Sequence, residues 1–161
     1  MKEKSNTNFL MSVFVLALPM LTGVLSSQIS GMGGGQAMPY PNKPPLVPPG
    51  QVFPIVWTIL YVLMGISFYL VVNAQADKKN KRVAKTIFYI QLFFNFIWPI
   101  VFFRFVQCKL AFIIICLLLF FIILNIIAFK RIHKIAGYLL IPYLIWVAFA
   151  LYLNLGFCIL N

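Results

Sequence analysis

The chain has 161 residues, of which 63% are hydrophobic and 9% are charged, with a net charge of +11 from 13 Lys+Arg against 2 Asp+Glu. A soluble domain carries about 45–50% apolar and about 25% charged residues, so a water-soluble globule, a disordered chain and a disulfide scaffold do not fit. A spanning helix needs about 20 mostly apolar residues, so the composition predicts about five spans.

The first apolar run covers residues 9–29 and follows the basic start Lys2 and Lys4. It is longer than a secretory h-region and has no clear cleavage site, so it reads as helix 1, with Pro19 as a kink position. Residues 31–51 hold six of the ten prolines and five of the nine glycines. Gly33-Gly34-Gly35 cannot hold a helix well, and Pro44-Pro45 and Pro48-Pro49 force extended geometry. Loops of this length are usually functional or disordered, and an ordered lid is expected. Helix 2 is predicted over 52–74, with Pro54 in its first turn, where the missing N–H costs little. A loop follows at 77–82, then helix 3 over 85–106 with Pro99 inside it. Helix 4, over 109–129, has no proline and is expected to be a mostly lipid-facing structural helix. After a basic turn at 130–134, helix 5 runs over 135–159, interrupted by Pro142. The expected fold is an all-α, five-transmembrane-helix bundle, a single membrane domain over 1–161, with a long Pro/Gly-rich loop between helices 1 and 2.

Ten of the 13 basic residues fall in the N-terminus, the 2–3 loop and the 4–5 turn, against Lys43, Arg104 and Lys109 on the other side. The positive-inside bias then predicts a cytoplasmic N-terminus, with loop 1 and the C-terminus outside. Cations placed between apolar runs read as topology signals, so membrane lipid and not nucleic acid is the expected surroundings.

The chemistry available is narrow. Glu3 and Asp77 are the only acids, both outside the apolar runs, and His133 is the only histidine, in a basic turn. Paired carboxylates for acid–base work are missing, and no His/Cys/Asp/Glu set has metal-ligand spacing. No cofactor or metal site is expected. Cys108, Cys116 and Cys158 show no CxxC spacing and read as small apolar residues in membrane helices.

Polar and large aromatic residues inside spans are the candidates for function. Gln91, Asn95 and Trp98 share one face of helix 3, Trp57 and Tyr61 one face of helix 2, and Tyr143, Trp146, Ala150 and Asn154 one face of helix 5. At about 1.5 Å rise per residue, the three tryptophans lie roughly 8, 12 and 17–20 Å from the outer ends of their helices. That depth suggests a pocket below loop 1 for a flat apolar ligand with a few polar edges. Other readings stay open. Trp57 also fits an interfacial belt, Trp98 and Trp146 also fit helix packing or lipid contact, and Gln91, Asn95, Asn125 and Asn154 also fit interhelical hydrogen bonding.

The text Lys43-Pro44, Pro48-Pro49 leading into Val52-Phe53-Pro54-Ile55-Val56-Trp57-Thr58-Ile59-Leu60-Tyr61, then Met64-Gly65, Gln91-Leu92, Asn95, Trp98-Pro99 and Phe102-Phe103, resembles the TspO/MBR family of translocator and tryptophan-rich sensory proteins. So does the closing Pro142-Tyr143-Leu144, Trp146, Ala148-Phe149-Ala150 and Leu153-Asn154. The resemblance implies a five-helix bundle that binds a tetrapyrrole such as protoporphyrin IX under a lid that includes Pro44, Pro48 and Pro49. It implies a role in tetrapyrrole handling, sensing or stress response. It also implies two rival readings: light-dependent porphyrin breakdown, for which Trp57 and Trp146 match the implicated tryptophans, and transport of porphyrin-like or lipid-like molecules. A homodimer is a further expectation, although the small-xxx-small pattern that relatives use for it reads Thr86 and Ile90. Leu46 stands where relatives often carry a tryptophan. No basic residue follows Lys134, so no C-terminal cholesterol site is expected, which favours a bacterial membrane.

Overall fold

The computed structural model describes residues 2–31 and 39–161, with side chains from residue 10 onward. The Gly33-Gly34-Gly35 run and the side chains of Lys2 and Lys4 lie outside the described residues.

The helices are α1 (Lys2–Ser30), α2 (Val52–Asn73), α3 (Lys78–Pro99), α4 (Cys108–Ile132), α5 (Lys134–Leu139) and α6 (Ile141–Leu160), with a π-helical turn over Ile100–Arg104. Among the described residues five segments are long and apolar enough to cross a membrane, the fifth being α5 and α6 together. The expected all-helical, five-span architecture is therefore observed.

Three boundaries differ from the sequence reading, each for a local reason. The loop expected at 77–82 is already helix. Asp77 caps α3, its Oδ2 accepting from the Lys79 and Asn80 N–H groups at 3.1 and 3.3 Å. A spanning helix needs apolar residues only where it crosses lipid, so α3 starts about two polar turns before its apolar run, and α1 likewise starts before residue 9. Pro99 lies inside the third span, where the sequence reading puts it. It has no N–H for the Asn95 carbonyl, and the chain widens into π turns, with Phe105 N–H donating to Ile100 O at 3.1 Å. The fifth span breaks at Leu140, two residues before Pro142, and its N–H donates to Gly137 O at 3.3 Å.

Packing fixes the order of the helices around the bundle. α1 meets α2 and α3, α2 meets α5, and α4 meets α3, α5 and α6. One face of α4 is buried through Ala111, Ile115, Leu118, Ile122, Asn125 and Phe129, at alternating steps of four and three. Its other faces expose Ile113, Phe120, Ile123 and Ile127, consistent with lipid contact.

The bundle has three storeys. At the basic end, Phe68 of α2 stacks on Phe88 of α3 at 4.1 Å, and Phe88 on Phe129 of α4 at 5.8 Å. Such pairs contribute about 0.5–1.5 kcal/mol each beyond area burial. Ser67 Oγ beside them donates to Ala136 O at 2.6 Å, joining α2 to α5. The middle storey is polar, and the third, under loop 1, is hollow.

At the loop end Cys108 and Cys158 form a disulfide with Cα atoms 5.5 Å apart, joining the start of α4 to the end of α6. This differs from reading all three cysteines as apolar filler. Antiparallel packing brings together two residues that are 50 apart in sequence, and no spacing motif signals it.

Candidate functional site

The middle storey is a directional hydrogen-bond chain across three helices. Tyr61 Oη of α2 donates to Asn95 Oδ1 of α3 at 2.9 Å. Asn95 Nδ2 donates to Tyr143 Oη of α6 at 2.8 Å, and Tyr143 Oη donates to Gln91 Oε1 at 3.0 Å. All four side chains are buried. A second connection lies nearer the loop. Trp98 Nε1 donates to Asn154 Oδ1 at 3.0 Å, and Asn154 Nδ2 donates to Cys108 O at 3.0 Å and contacts Cys158 Sγ at 3.4 Å. Unpaired polar groups are costly in hydrocarbon, so these contacts join the helices as well as satisfying the side chains. Among the described residues three buried side-chain atoms stay unpaired, the donors Gln91 Nε2 and Trp146 Nε1 and the acceptor Asn125 Oδ1.

The hollow storey is a cavity of about 800 Å³. Its aromatic wall is Trp57, Tyr61, Trp98, Phe53 and Phe103. Trp57 stacks on Tyr61 at 5.4 Å and meets the Tyr143 ring edge-on at 6.3 Å, so the wall rests on the polar network. Gly23 lets the Tyr61 ring lie against α1, since a Cβ there would overlap that ring.

Opposite stands the polar tail of α1, with Ser26, Ser27, Gln28 and Ser30 on the lining. Ser26 Oγ donates to Phe96 O at 2.7 Å, holding α1 against α3. Lys43 is the one cation, and there is no acid, among the described lining residues.

The described part of loop 1 borders this space and is anchored through residues 40–45. Tyr40 Oη donates to Phe102 O at 3.2 Å, and burial pushes its phenol above the ordinary value. Asn42 Nδ2 donates to Leu160 O at 3.0 Å, and Asn161 Nδ2 donates back to Asn42 O at 2.9 Å. Pro44 seats on Gly156, and Tyr152 Oη donates to Pro45 O at 3.3 Å. Nearby, Arg104 Nη1 donates to Ile29 O at 2.9 Å, capping the carbonyl end of α1.

Of the residues expected at a site, Trp57, Tyr61, Trp98 and Pro48 line the large cavity. Gln91, Asn95, Tyr143, Trp146, Ala150, Asn154, Pro44 and Pro49 are not on that lining. Ala150, Asn154 and Trp98 border a second space of about 20 Å³, which shares Phe53 and Phe103 with the first. Trp146 sits behind Phe53, with ring centroids 5.9 Å apart. Leu46 is 77% exposed, at φ 67°, and does not line the cavity.

The α1 wall was missed by the sequence reading, which looked only at tryptophan-bearing helices. The available signal was Ser26-Ser27-Gln28, a polar triplet closing an otherwise apolar run. No group of three His, Cys, Asp or Glu side chains could hold a metal among the described residues. The site can therefore bind through aromatic faces, α1 hydroxyls and one ammonium.

The chain is similar in sequence to known proteins. The TspO/MBR family model matches residues 14–160. A tryptophan-rich protein TspO of Chlorobaculum tepidum is 41% identical over 119 residues, covering 74% of this chain and 75% of that one. A tryptophan-rich sensory protein of Cereibacter sphaeroides is 36% identical over 113 residues, 70% of this chain and 69% of that one. The translocator protein of Homo sapiens is 34% identical over 114 residues, 70% of this chain and 68% of its own. With the family match running from within the first span to the end of the last, the chain belongs to the TspO/MBR family.

Proposed function

We propose that this membrane protein binds a tetrapyrrole in the cavity under loop 1 and serves tetrapyrrole handling or sensing. The observation that carries the reading is the cavity itself. About 800 Å³ lies within the range of small-molecule sites, about 300–1,000 Å³. Trp57, Tyr61 and Trp98 offer flat faces to a macrocycle, and Lys43 offers a charge partner to its carboxylate edge. In this reading Trp57, Tyr61 and Trp98 touch the ligand. Gln91, Asn95, Tyr143 and Asn154 hold that wall in place, and Ala150 leaves the small space beside Trp98. Trp146 reaches the ligand only when the Phe53 ring turns aside.

The protein inserts with the basic ends of α3, α4 and α5 in the cytoplasm, following the positive-inside bias. The lack of a C-terminal cholesterol pattern favours a bacterial cell membrane. Light-dependent breakdown of bound porphyrin is a second reading, favoured by one observation: Trp57 stands on the cavity wall in ring contact with both Tyr61 and Tyr143.

The test is a dark titration of the protein in bilayer nanodiscs with protoporphyrin IX, following tryptophan quenching, and then illumination. Saturable quenching, reduced in Trp57→Phe, is expected. Unsaturable quenching overturns the binding reading. Photoproducts identical to those of free porphyrin overturn the breakdown reading alone.

A further inference from the structure

The basic end of the bundle carries more order than topology requires. Positive-inside bias asks only that cations lie on one side. Here they converge from neighbouring helices: Lys78, Lys79 and Arg82 on the first turns of α3, and Lys130, Arg131 and Lys134 at the α4–α5 corner, all exposed. α3 and α4 pack as antiparallel neighbours, so the two groups share one end. The only nearby described acid is Asp77, and its Oδ2 accepts from the Lys79 and Asn80 N–H groups. No acid stands in the first turn of α3 itself. Cations at a helix N-terminus oppose the helix dipole, so an anion from outside would relieve that end.

One cation is held in position. The Lys130 ammonium lies 4.4 Å above the centroid of the Tyr138 ring. Its stem runs over Gly137, where a Cβ would overlap Lys130 Cγ. Tyr138 is exposed, as are Ile127 and Ile135 on the adjoining turns of α4 and α5. A positioned ammonium therefore sits next to the exposed cations Arg131 and Lys134 and the exposed apolar side chains of Ile127 and Ile135.

We propose that this corner is a binding site for an anionic phospholipid, with Lys130, Arg131 and Lys134 on the phosphate headgroup and Tyr138, Ile127 and Ile135 along the acyl chain. A free phosphate could use the cations but not the apolar surface. A zwitterionic lipid could use the apolar surface but brings its own ammonium to the cations. Each cation near an anionic headgroup contributes about fivefold in affinity. The proposal is independent of the tetrapyrrole reading and of which way the protein faces.

The protein is reconstituted in bilayers of phosphatidylglycerol and phosphatidylcholine in equal parts, extracted in mild detergent, and its retained lipids counted by native mass spectrometry. With about fivefold from each of three cations, wild type is expected to retain phosphatidylglycerol on the order of a hundredfold over phosphatidylcholine. Lys130→Gln/Arg131→Gln/Lys134→Gln is expected to fall to near parity, and Lys109→Gln, at the opposite end, to keep the preference. Tyr138→Leu keeps every charge and the apolar area. Its expected loss, about twofold, separates a built site from bulk attraction and still decides the matter if the triple variant misfolds. A triple variant or Tyr138→Leu with unchanged preference overturns the proposal. So does displacement of the lipid by millimolar inorganic phosphate, which would make the ligand a free anion.

Discussion

Tyr143→Phe separates the two jobs that the aromatic and polar side chains share. The substitution leaves the ring 6.3 Å from Trp57 but removes a hydroxyl that accepts from Asn95 Nδ2 and donates to Gln91 Oε1. Interhelical hydrogen bonds in membrane proteins average about 0.6 kcal/mol and reach about 1.7, so two lost bonds predict destabilisation of about 1–3 kcal/mol. Gln91 already has an unpaired Nε2, and the substitution frees its Oε1 as well, which favours the upper part of that range. The cavity wall is disturbed only indirectly, because Tyr61 still donates to Asn95. Protoporphyrin affinity should therefore fall by less than about fivefold, or about 1 kcal/mol. Tyr61→Phe reverses the pattern, with one bond lost and the wall itself altered. Unfolding in mixed micelles reads the first quantity and tryptophan quenching the second. The double variant should show a coupling of at least about 0.5 kcal/mol, since both hydroxyls act on Asn95. Two results would refute the reasoning: a Tyr143→Phe protein as stable as wild type, or one that loses more ligand affinity than Tyr61→Phe.

Three further outcomes follow from neighbouring contacts. Gly23→Val puts a side chain where the Tyr61 ring lies and should weaken protoporphyrin binding more than about tenfold, an expectation defeated by a change within about twofold. Phe53→Ala removes the ring between the large cavity and Trp146. Quenching should then gain a component absent from Phe53→Ala/Trp146→Phe, and identical quenching in both variants would contradict the barrier role. Thiol labelling of unfolded, unreduced protein should find one free thiol, Cys116, and three after dithiol reduction. Closing a 50-residue loop contributes at most about 4 kcal/mol in the chain-entropy account. Cys108→Ser/Cys158→Ser should be destabilised by less than that, because spanning helices keep much of their order in lipid. Three free thiols before reduction would remove the bridge from the account.

The spans were legible because lipid imposes a length and an apolar composition on each crossing, a one-dimensional signal. What composition does not encode was lost. Asp77 marks a helix start that hydropathy cannot register, because the turn it caps lies in water. Leu140, not Pro142, ends α5, since the break depends on which carbonyls find partners. The helical stripes put Gln91 and Asn95 on one face and Tyr143 and Asn154 on another, yet a stripe shows only that residues share a face. Whether that face meets another helix or an empty space depends on the neighbours. Cys108 and Cys158 show the same limit, because their meeting is a property of antiparallel packing.

The division between network and cavity follows from the solvent. In water, a buried amide that loses its partner can be rescued by local opening. In hydrocarbon it cannot, so polar side chains deep in the bundle are driven to satisfy one another. Asn95 illustrates the result, with its amide oxygen and nitrogen both engaged by tyrosine hydroxyls. Side chains saturated in this way have little capacity left to recognise a ligand, and their influence passes through the rings they hold. Recognition then falls to groups whose binding surface is not used up by their own hydrogen bond. Trp98 donates its N–H to Asn154 and still presents its ring to the cavity, as Tyr61 does. This gives each aromatic an anchored edge and a free face, which suits a ligand identified by its planarity more than by its polar pattern.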